Sequence, residues 1–488
     1  MRKTRPHIAI ALQGFSSYSL FLDSLNGRNM AASKPIIRKR SDHRVSRKNI
    51  DPDALKVLYR LSRHGYIAYL VGGSVRDLLL HRNPKDFDIS TDAHPRQIKR
   101  LFRNCFLIGR RFRLAHIRFG QKVIETSTFR REPVPMDPAA PVTDLYQHQN
   151  NTFGTPSEDA HRRDFTVNGL FYDIKTFSVI DHVGGLRDLD KHLIRSIGDP
   201  NIRFREDPVR MLRAVRFASR LGFRIESGTY KALLKHHKDI TKASAPRLIE
   251  DIAKLFAFRS GEKAFRMLRE SKLMADLLPE LAAYLESSSD GGELMWGCLN
   301  ALDSLSIPKG EEPNLALRMA TLCYAMFQDR LYFLREHEQK IDYADVARDI
   351  VDKMAKHLRI PKKIQYEMAG LLASQRRIED PSLRFSKRKF MSQPIFPNAL
   401  RLYEIRVAAA DGDKSQLGRW LGLYKDFKGS GGQSGEDTAR NQRRSGGRRG
   451  GRRRRRPPRG PRSQGTGGGA STPRRNQSGG TGHRATSG

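Results

Sequence analysis

The sequence predicts an α+β fold: a small mixed sheet near the front, an all-helical neck, body and tail behind it, and disordered ends. Three observations predict it. Short apolar or alternating runs broken by glycine fill residues 67–128, which reads as strands and tight turns. An amphipathic helix with an Asp-Pro start opens at Asp207, and helices with loops follow. The last stretch, from Gly429, is Gly, Arg, Ser and Pro with almost no large apolar residue, so burial cannot offset its ordering entropy. With 488 residues and 38% apolar content, the chain can bury several cores in two or three units.

Taken in order, residues 1–43 carry early basic residues, a broken apolar stretch and few acids. They are compatible with a weak targeting peptide. A disordered extension is preferred, because Met30 would itself make a start. Asp51-Pro52 supplies an N-cap and a proline at the first helical position, and Leu55, Leu58 and Leu61 face one core before the helix ends near Gly65. Residues 67–71 form a strand running into Gly72-Gly73, and 75–80 a short helix. After the turn at Asn83-Pro84, residues 86–91 form a second strand with Phe87 and Ile89 inward and Asp86 and Asp88 outward. A helix over 95–102 and a hairpin of 115–119 with 122–128, turning at Gly120-Gln121, complete the sheet. Asp207-Pro208 opens a helix with Val209, Leu212, Val215 and Ala218 as its apolar stripe, leaving Arg210, Arg213, Arg216 and Arg220 largely on the other side. Further helices are expected over 247–258 and 342–357.

The chemistry centres on Asp86 and Asp88. Two carboxylates spaced i, i+2 on a strand share a face, and their repulsion costs free energy unless a cation sits between them. Magnesium fits, since it takes one or two carboxylates plus substrate phosphates and water. Upstream, a strand, a Gly72-Gly73 turn and a helix start let backbone amides approach a phosphate, with Arg76 as a cationic partner. Glycine pairs recur by chance, and a lone Asp-x-Asp is more often a solvated edge. Together in this order they are specific. Glu125 shares a face with Val123 and Ser127, as a third carboxylate or as the acid of a surface ion pair. Asp164, flanked by arginines, reads as a further acid, a helix N-cap or an ion-paired residue. The arginines of the Asp207 helix read either as a solvated face or, with Asp207, as donors and an acceptor for a base edge.

Four segments carry a resemblance. Leu70-Val71-Gly72-Gly73-Ser74-Val75-Arg76-Asp77, Lys85-Asp86-Phe87-Asp88, Arg162-Arg163-Asp164-Phe165-Thr166-Val167-Asn168 and the run from Arg205 to Phe217 resemble, in order, the head, neck and base-selection motifs of the class II nucleotidyltransferases. That family contains tRNA CCA-adding enzymes and bacterial poly(A) polymerases. The resemblance spans roughly residues 44–428 and is most specific up to Phe223. The segment from Leu107 to Ile117 looks like the signature of the poly(A) polymerase branch, and on it the chain is identified as a member of that branch. The resemblance implies a nucleotidyltransferase head over 44–165, a nucleotide-selecting neck over 166–258, an RNA-binding helical body and tail over 259–428, and a disordered Arg/Gly-rich tail over 429–488. It implies Asp86, Asp88 and Asp164 as catalytic residues, with Asp86 and Asp88 holding two Mg2+ ions. It further implies that Gly72, Gly73 and Arg76 position the triphosphate of ATP, and that Arg163, Asn168, Asp207 and Arg210 contact sugar and base. The implied reaction is template-independent addition of AMP from ATP to RNA 3′ ends with release of pyrophosphate. A CCA- or A-adding tRNA nucleotidyltransferase is the alternative within the family, and a non-catalytic RNA-binding protein the alternative outside it.

Charge agrees with an RNA partner. Ninety Lys and Arg against 52 Asp and Glu leave +38, a surplus that calls for a polyanion. Residues 429–488 hold 15 arginines and two acids, including the run Arg452 to Arg456. Such a tail binds RNA backbone without sequence choice and offers a route to RNA-decay machinery; a merely solubilising tail is the bland reading. No apolar run reaches the length of a membrane span. Cys105, Cys298 and Cys323 are scattered, with neither zinc nor disulfide spacing, which fits a reducing cytoplasm. No His-Asp dipeptide occurs, so the phosphohydrolase domain of some tRNA nucleotidyltransferases is not expected.

Overall fold

The computed structural model describes residues 34–109, 113–131, 153–290, 292–306, 312–410 and 414–444. An eight-stranded mixed sheet carries the front of the chain in the order β1-β8-β7-β2-β3-β6-β5-β4. The strands are β1 (Ile36–Arg38), β2 (Ala68–Val71), β3 (Asp88–Thr91), β4 (Cys105–Ile108), β5 (Leu114–Phe119), β6 (Lys122–Thr128), β7 (Leu170–Asp173) and β8 (Ser178–Asp181). Every neighbouring pair is antiparallel except β3 and β6. Alternation puts Ala68 and Leu70 of β2 on the main core, while Tyr69 and Val71 join a smaller cluster with Phe129 and Phe171 on the opposite face. Helix α1 (Pro52–Arg63) starts as expected, the Asp51 carboxylate accepting from the amides of Asp53 and Ala54. It buries Leu58 and Leu61 completely. Helices α2 (Gly73–Leu79) and α3 (Pro95–Leu101) follow β2 and β3.

Three boundaries differ from the sequence reading. Residues 36–43, expected within a disordered extension, are ordered: Ile37 stands opposite Ile180 of β8, and the buried His43 holds the Phe177 carbonyl through Nε2 at 3.0 Å. The partner strand lies about 140 residues away, so no local signal marks it. For the same reason the sheet does not stop at residue 165 but includes β7 and β8. The last helix, Lys414–Arg444, runs on past Gly429. Its first half docks through Trp420, whose indole N–H donates to the Ile378 carbonyl at 3.0 Å; a docked start removes the cost of nucleation, and each added residue then gains one hydrogen bond. The other residues expected to be disordered, 1–33 and 445–488, lie outside the described residues.

Behind the sheet the chain is almost wholly helical. Helix α4 (Val209–Leu221) buries Val209, Leu212, Val215 and Ala218 completely, as the stripe predicts. It packs beside α5 (Ala245–Leu255). Helix Leu315–Glu336 is the centre of the body, buried on several sides. One hydrophobic cluster runs without a break from α1 to Trp420, so the first sheet face and the helices share a core.

Candidate active site

Strand register assembles the site. Val71, last residue of β2, stands opposite Asp88, first residue of β3, and opposite Phe171 near the start of β7. The Gly72 amide donates to the Leu170 carbonyl at 3.0 Å. One edge of the sheet thus gathers the Gly72-Gly73 turn, Asp88 and the segment containing Asn168. Gly72 has φ 68° and ψ −130°, a region that favours glycine, and an added Cβ would lie 3.0 Å from Arg163 Nη1. The first amides of α2, from Gly73 on, have no carbonyl partner within their own helix. On the other side of β3, Ile89 pairs with Thr126 of β6, which brings Glu125 alongside Asp88.

All ten site residues expected from the sequence line one cavity of about 520 Å³. Sheet-side walls come from Gly72, Gly73, Arg76, Asp86 and Asp88. Arg163, Asp164 and Asn168 come from the segment ahead of β7, and Asp207 and Arg210 from the start of α4. Their environments differ sharply. Strand β3 begins only at Asp88, so Asp86 sits in the preceding loop, and the two acids meet through that loop rather than through the pleat. Both are exposed, yet the Asp88 carboxyl is pushed up to about 6 by its crevice surroundings, then by Glu125, with Arg163 opposing and Asp86 adding to the rise. Solvent reaches Asp88 from one side while protein crowds it from the others. Glu125 approaches His116 at 3.7 Å.

Asp164 is different. Burial works to raise its carboxyl, but Arg213 and Asn168 overcome this and hold it at about 2. Arg213 Nε donates to it at 2.8 Å, Asn168 Nδ2 at 3.0 Å and the Phe165 amide at 2.8 Å. The ion-paired alternative describes this residue, whose carboxylate is taken up by Arg213, Asn168 and the Phe165 amide, against the expectation of a catalytic role. Arg76 is corrected too. It is 1% exposed, with Nε and Nη2 on Asp77 at 2.8 and 2.6 Å and Nη1 on Asn168 at 2.5 Å. Its guanidinium supports the turn and is not available to a triphosphate. Arg163 binds Asp159 through Nη2 at 2.8 Å and lies over Phe171. Asp207 accepts from Arg247 at 2.7 Å, and Arg210 donates through Nη1 to Glu206 at 3.2 Å, leaving its Nε and Nη2 without a partner among the described residues.

The solvated-face reading of α4 fails. Arg213, Arg216 and Arg220 line the cavity with Arg210, and each has a carboxylate: Arg213 has Asp164, Arg216 has Asp251 at 2.7 Å, and Arg220 has Asp77 at 2.8 Å. Their three- and four-residue spacing was the visible signal. Asp77, Arg247 and Asp251 also belong to the cavity, and for the last two no local signal existed. A single chain of contacts results, Arg213–Asp164–Asn168–Arg76–Asp77–Arg220, which leaves α4, crosses the glycine turn and returns to α4. It fixes the helix against the sheet edge.

Among the described residues, no group of three or more His, Cys, Asp or Glu is arranged to hold a metal by itself. A hard cation that takes two carboxylates and completes its shell with substrate phosphate oxygens still fits Asp86 and Asp88. The like-charge contribution to the raised Asp88 carboxyl marks uncompensated negative charge there. The segment from Leu107 to Ile117, on which the branch is chosen, is only partly described, because residues 110–112 fall outside.

Known proteins resemble the chain along most of its length. Residues 68–195 match a family described as the poly A polymerase head domain, residues 222–285 one described as a probable RNA- and SrmB-binding site of polymerase A, and residues 336–460 the polymerase A arginine-rich C-terminus. Poly(A) polymerase I of Salmonella typhi is 38% identical over 405 residues, covering 79% of this chain and 85% of that protein. The Haemophilus influenzae protein of the same name is 31% identical over 413 residues, covering 82% and 89%. A CCA-adding enzyme of Lactobacillus gasseri is 40% identical over 224 residues, covering 46% of this chain and 54% of that protein. Among solved structures, the Bacillus stearothermophilus CCA-adding enzyme in complex with CTP superposes with a TM-score of 0.58 at 26% identity, covering 78% of this chain and 83% of that one.

Proposed function

This chain belongs to the poly(A) polymerase family, and from that premise we propose how its cavity transfers AMP from ATP to RNA 3′ ends without a template. The 3′-hydroxyl oxygen attacks the α-phosphorus and gives up its proton to solvent, the bond to the bridging oxygen breaks, and pyrophosphate leaves with the electron pair. No covalent enzyme intermediate is needed. Asp86 and Asp88 would hold two magnesium ions, which when bound neutralise charge on the phosphoryl group and acidify the attacking hydroxyl. Amides of the Gly73 turn, with Arg163 beside them, position the triphosphate. Asp207 and Arg210 present an acceptor and two unused donors to the base, and a wrong base leaves those groups unpaired. Asp164 and Arg76 position α4 and Asn168 and do not touch the reacting atoms.

The single observation that carries this reading is the convergence of all ten residues on one cavity. Helical regions behind it, with Lys387, Arg388 and Lys389 exposed, grip RNA, and the match of residues 222–285 to an RNA-binding region supports that assignment. The arginine-rich tail then adds backbone affinity and a contact for RNA-decay machinery. A cytoplasmic setting is supported by three unpaired, buried cysteines, and among the described residues no helix is long and apolar enough to cross a membrane.

The CCA-adding alternative is favoured by one observation, the 40% identity to the Lactobacillus gasseri enzyme, but that covers only 46% of this chain. One assay separates the readings. The full chain is incubated with magnesium, a generic RNA and each nucleotide in turn, and then with tRNA lacking its last three residues. Long tails from ATP alone are expected. Addition that stops after C, C and A would replace this reading with the alternative.

A further inference from the structure

Asp86 and Asp88 also line a second cavity, of about 960 Å³, which shares Arg213, Arg216 and Arg220 with the first but not the glycine turn, Asp207 or Arg210. The acid pair therefore stands where two cavities meet. An in-line phosphoryl transfer needs the nucleophile and the leaving group on opposite sides of the phosphorus. If the first cavity takes the nucleotide, the second is the open approach for the other substrate.

The second cavity contains an exposed aromatic side chain outside the hydrophobic core. Phe258 is 54% exposed and adopts φ 63°, and the next residue, Arg259, adopts φ 56°. Two successive non-glycine residues in the left-handed region are uncommon, and for a bulky side chain the conformation is strained. The turn is held from both ends. Phe256 packs against Phe265 at 5.0 Å, Ser260 donates to the Ala257 carbonyl at 2.9 Å, and Asp303 accepts from the amides of Gly261 and Glu262 at 3.0 and 2.9 Å. Strain and an exposed ring both oppose stability, so neither serves the core. Arg220 lies 3.7 Å from the ring centroid and is itself fixed by Asp77, which follows the glycine turn. Arg259 has no hydrogen bond or ion pair among the described residues.

We infer that the second cavity receives the 3′-terminal nucleotide of the RNA, its base stacked on Phe258 and its phosphate met by Arg259. The inference rests on the adenylyl-transfer reading. Stacking on an aromatic ring is indifferent to base identity, which suits a site that must accept any starting RNA end and, after one addition, always an adenosine. Fixing the ring through Arg220 and Asp77 ties the terminal nucleotide to the same framework that holds the nucleotide cavity.

The test uses the full chain and an oligonucleotide RNA ending in 3′-deoxy-2-aminopurine riboside, which binds but cannot be extended. Phe258→Gly removes the ring and relieves the backbone strain, and Phe258→Tyr keeps a ring. Thermal melts verify that both variants fold. Terminal 2-aminopurine fluorescence is expected to be quenched by the parent chain and by Phe258→Tyr, and not by Phe258→Gly. With an extendable RNA, the KM for RNA should rise on the order of 10-fold in Phe258→Gly, with the KM for ATP unmoved and Phe258→Tyr restoring the parent value. Unchanged quenching and unchanged KM for RNA in Phe258→Gly would overturn the platform. A parent chain that quenches the terminal base yet adds no adenylate would uphold the platform and refute the adenylyl-transfer reading instead.

Discussion

The sheet edge and the arginine face of α4 form opposite walls of one cavity and treat charge in opposite ways. On α4, Arg213, Arg216 and Arg220 each have a carboxylate within the protein, so those three guanidiniums are paired in place. At the sheet edge, burial first and then Glu125 and Asp86 raise the Asp88 carboxyl to about 6, against the opposing pull of Arg163. Asp164 at about 2 and Asp88 at about 6 are the same residue type in the same cavity. The difference teaches that Asp164, held by Arg213, serves the framework, whereas Asp88, beside Glu125 and Asp86, has no carboxylate-bound cation of its own among the described residues and is the better candidate for a ligand's cation.

The largest expected effect comes from removing the uncompensated acids. Asp88→Asn or Asp86→Asn should lower AMP addition on the order of 10³-fold, the several kcal/mol that a metal ion contributes to charge stabilisation, while filter-binding affinity for RNA stays near the parent value. Full activity in either variant would remove the metal role. Chelation of magnesium should reproduce the loss, and restored magnesium should reverse it.

Next is the buried pair. Asp164→Ala leaves Arg213 without its carboxylate and should cost about 2–3 kcal/mol in urea unfolding, at or below the low end of the roughly 3–5 kcal/mol for a broken buried pair, since Arg213 remains a third exposed. Its pH dependence has a definite sign. The folded carboxyl lies at about 2, below its ordinary 3.8, so the contribution is full above the ordinary value and is lost as pH falls through the folded one. The stability difference between parent and Asp164→Asn should therefore shrink as pH falls from 4 toward 2. A difference independent of pH over that interval would mean the pair is not ionised as described.

A smaller effect is expected at Asp207. Asp207→Ala should reduce the preference for ATP over other nucleotides by about 10- to 100-fold, corresponding to one or two buried hydrogen bonds of roughly 1–2 kcal/mol. Competition between labelled nucleotides measures it, and an unchanged preference would assign base choice elsewhere. The smallest effect lies far from the cavity. Replacing Lys387, Arg388 and Lys389 by alanine should weaken RNA binding uniformly across sequences and lower the salt dependence by roughly two to three counterions.

Local chemistry made much of this site legible. The Asp51-Pro52 cap, the glycine turn, the apolar stripe of α4 and the ten cavity residues all follow from short-range spacing and motif resemblance. What stayed hidden was partner choice across long sequence separations. Asp164 finds Arg213, 49 residues on, and Arg76 finds Asn168, 92 residues on. Nothing near either residue announces this, so the sequence reading assigned Asp164 to catalysis and Arg76 to the triphosphate, whereas tertiary packing joins both through Asn168. Strand β1 escaped for the same reason, since its pairing with β8 exists only once the sheet is assembled. Phe258 escaped because an exposed ring on a strained turn has no sequence pattern.

The central claim, that the sheet edge is a cation site, is tested most directly by replacing magnesium with Fe2+ in the presence of ATP, ascorbate and peroxide and mapping backbone cleavage by mass spectrometry. Cleavage clustered around Asp86 and Asp88 in the parent chain, and lost when both are changed to asparagine, is the predicted result. Cleavage that is absent there in the parent, or unchanged in the double variant, would contradict the account.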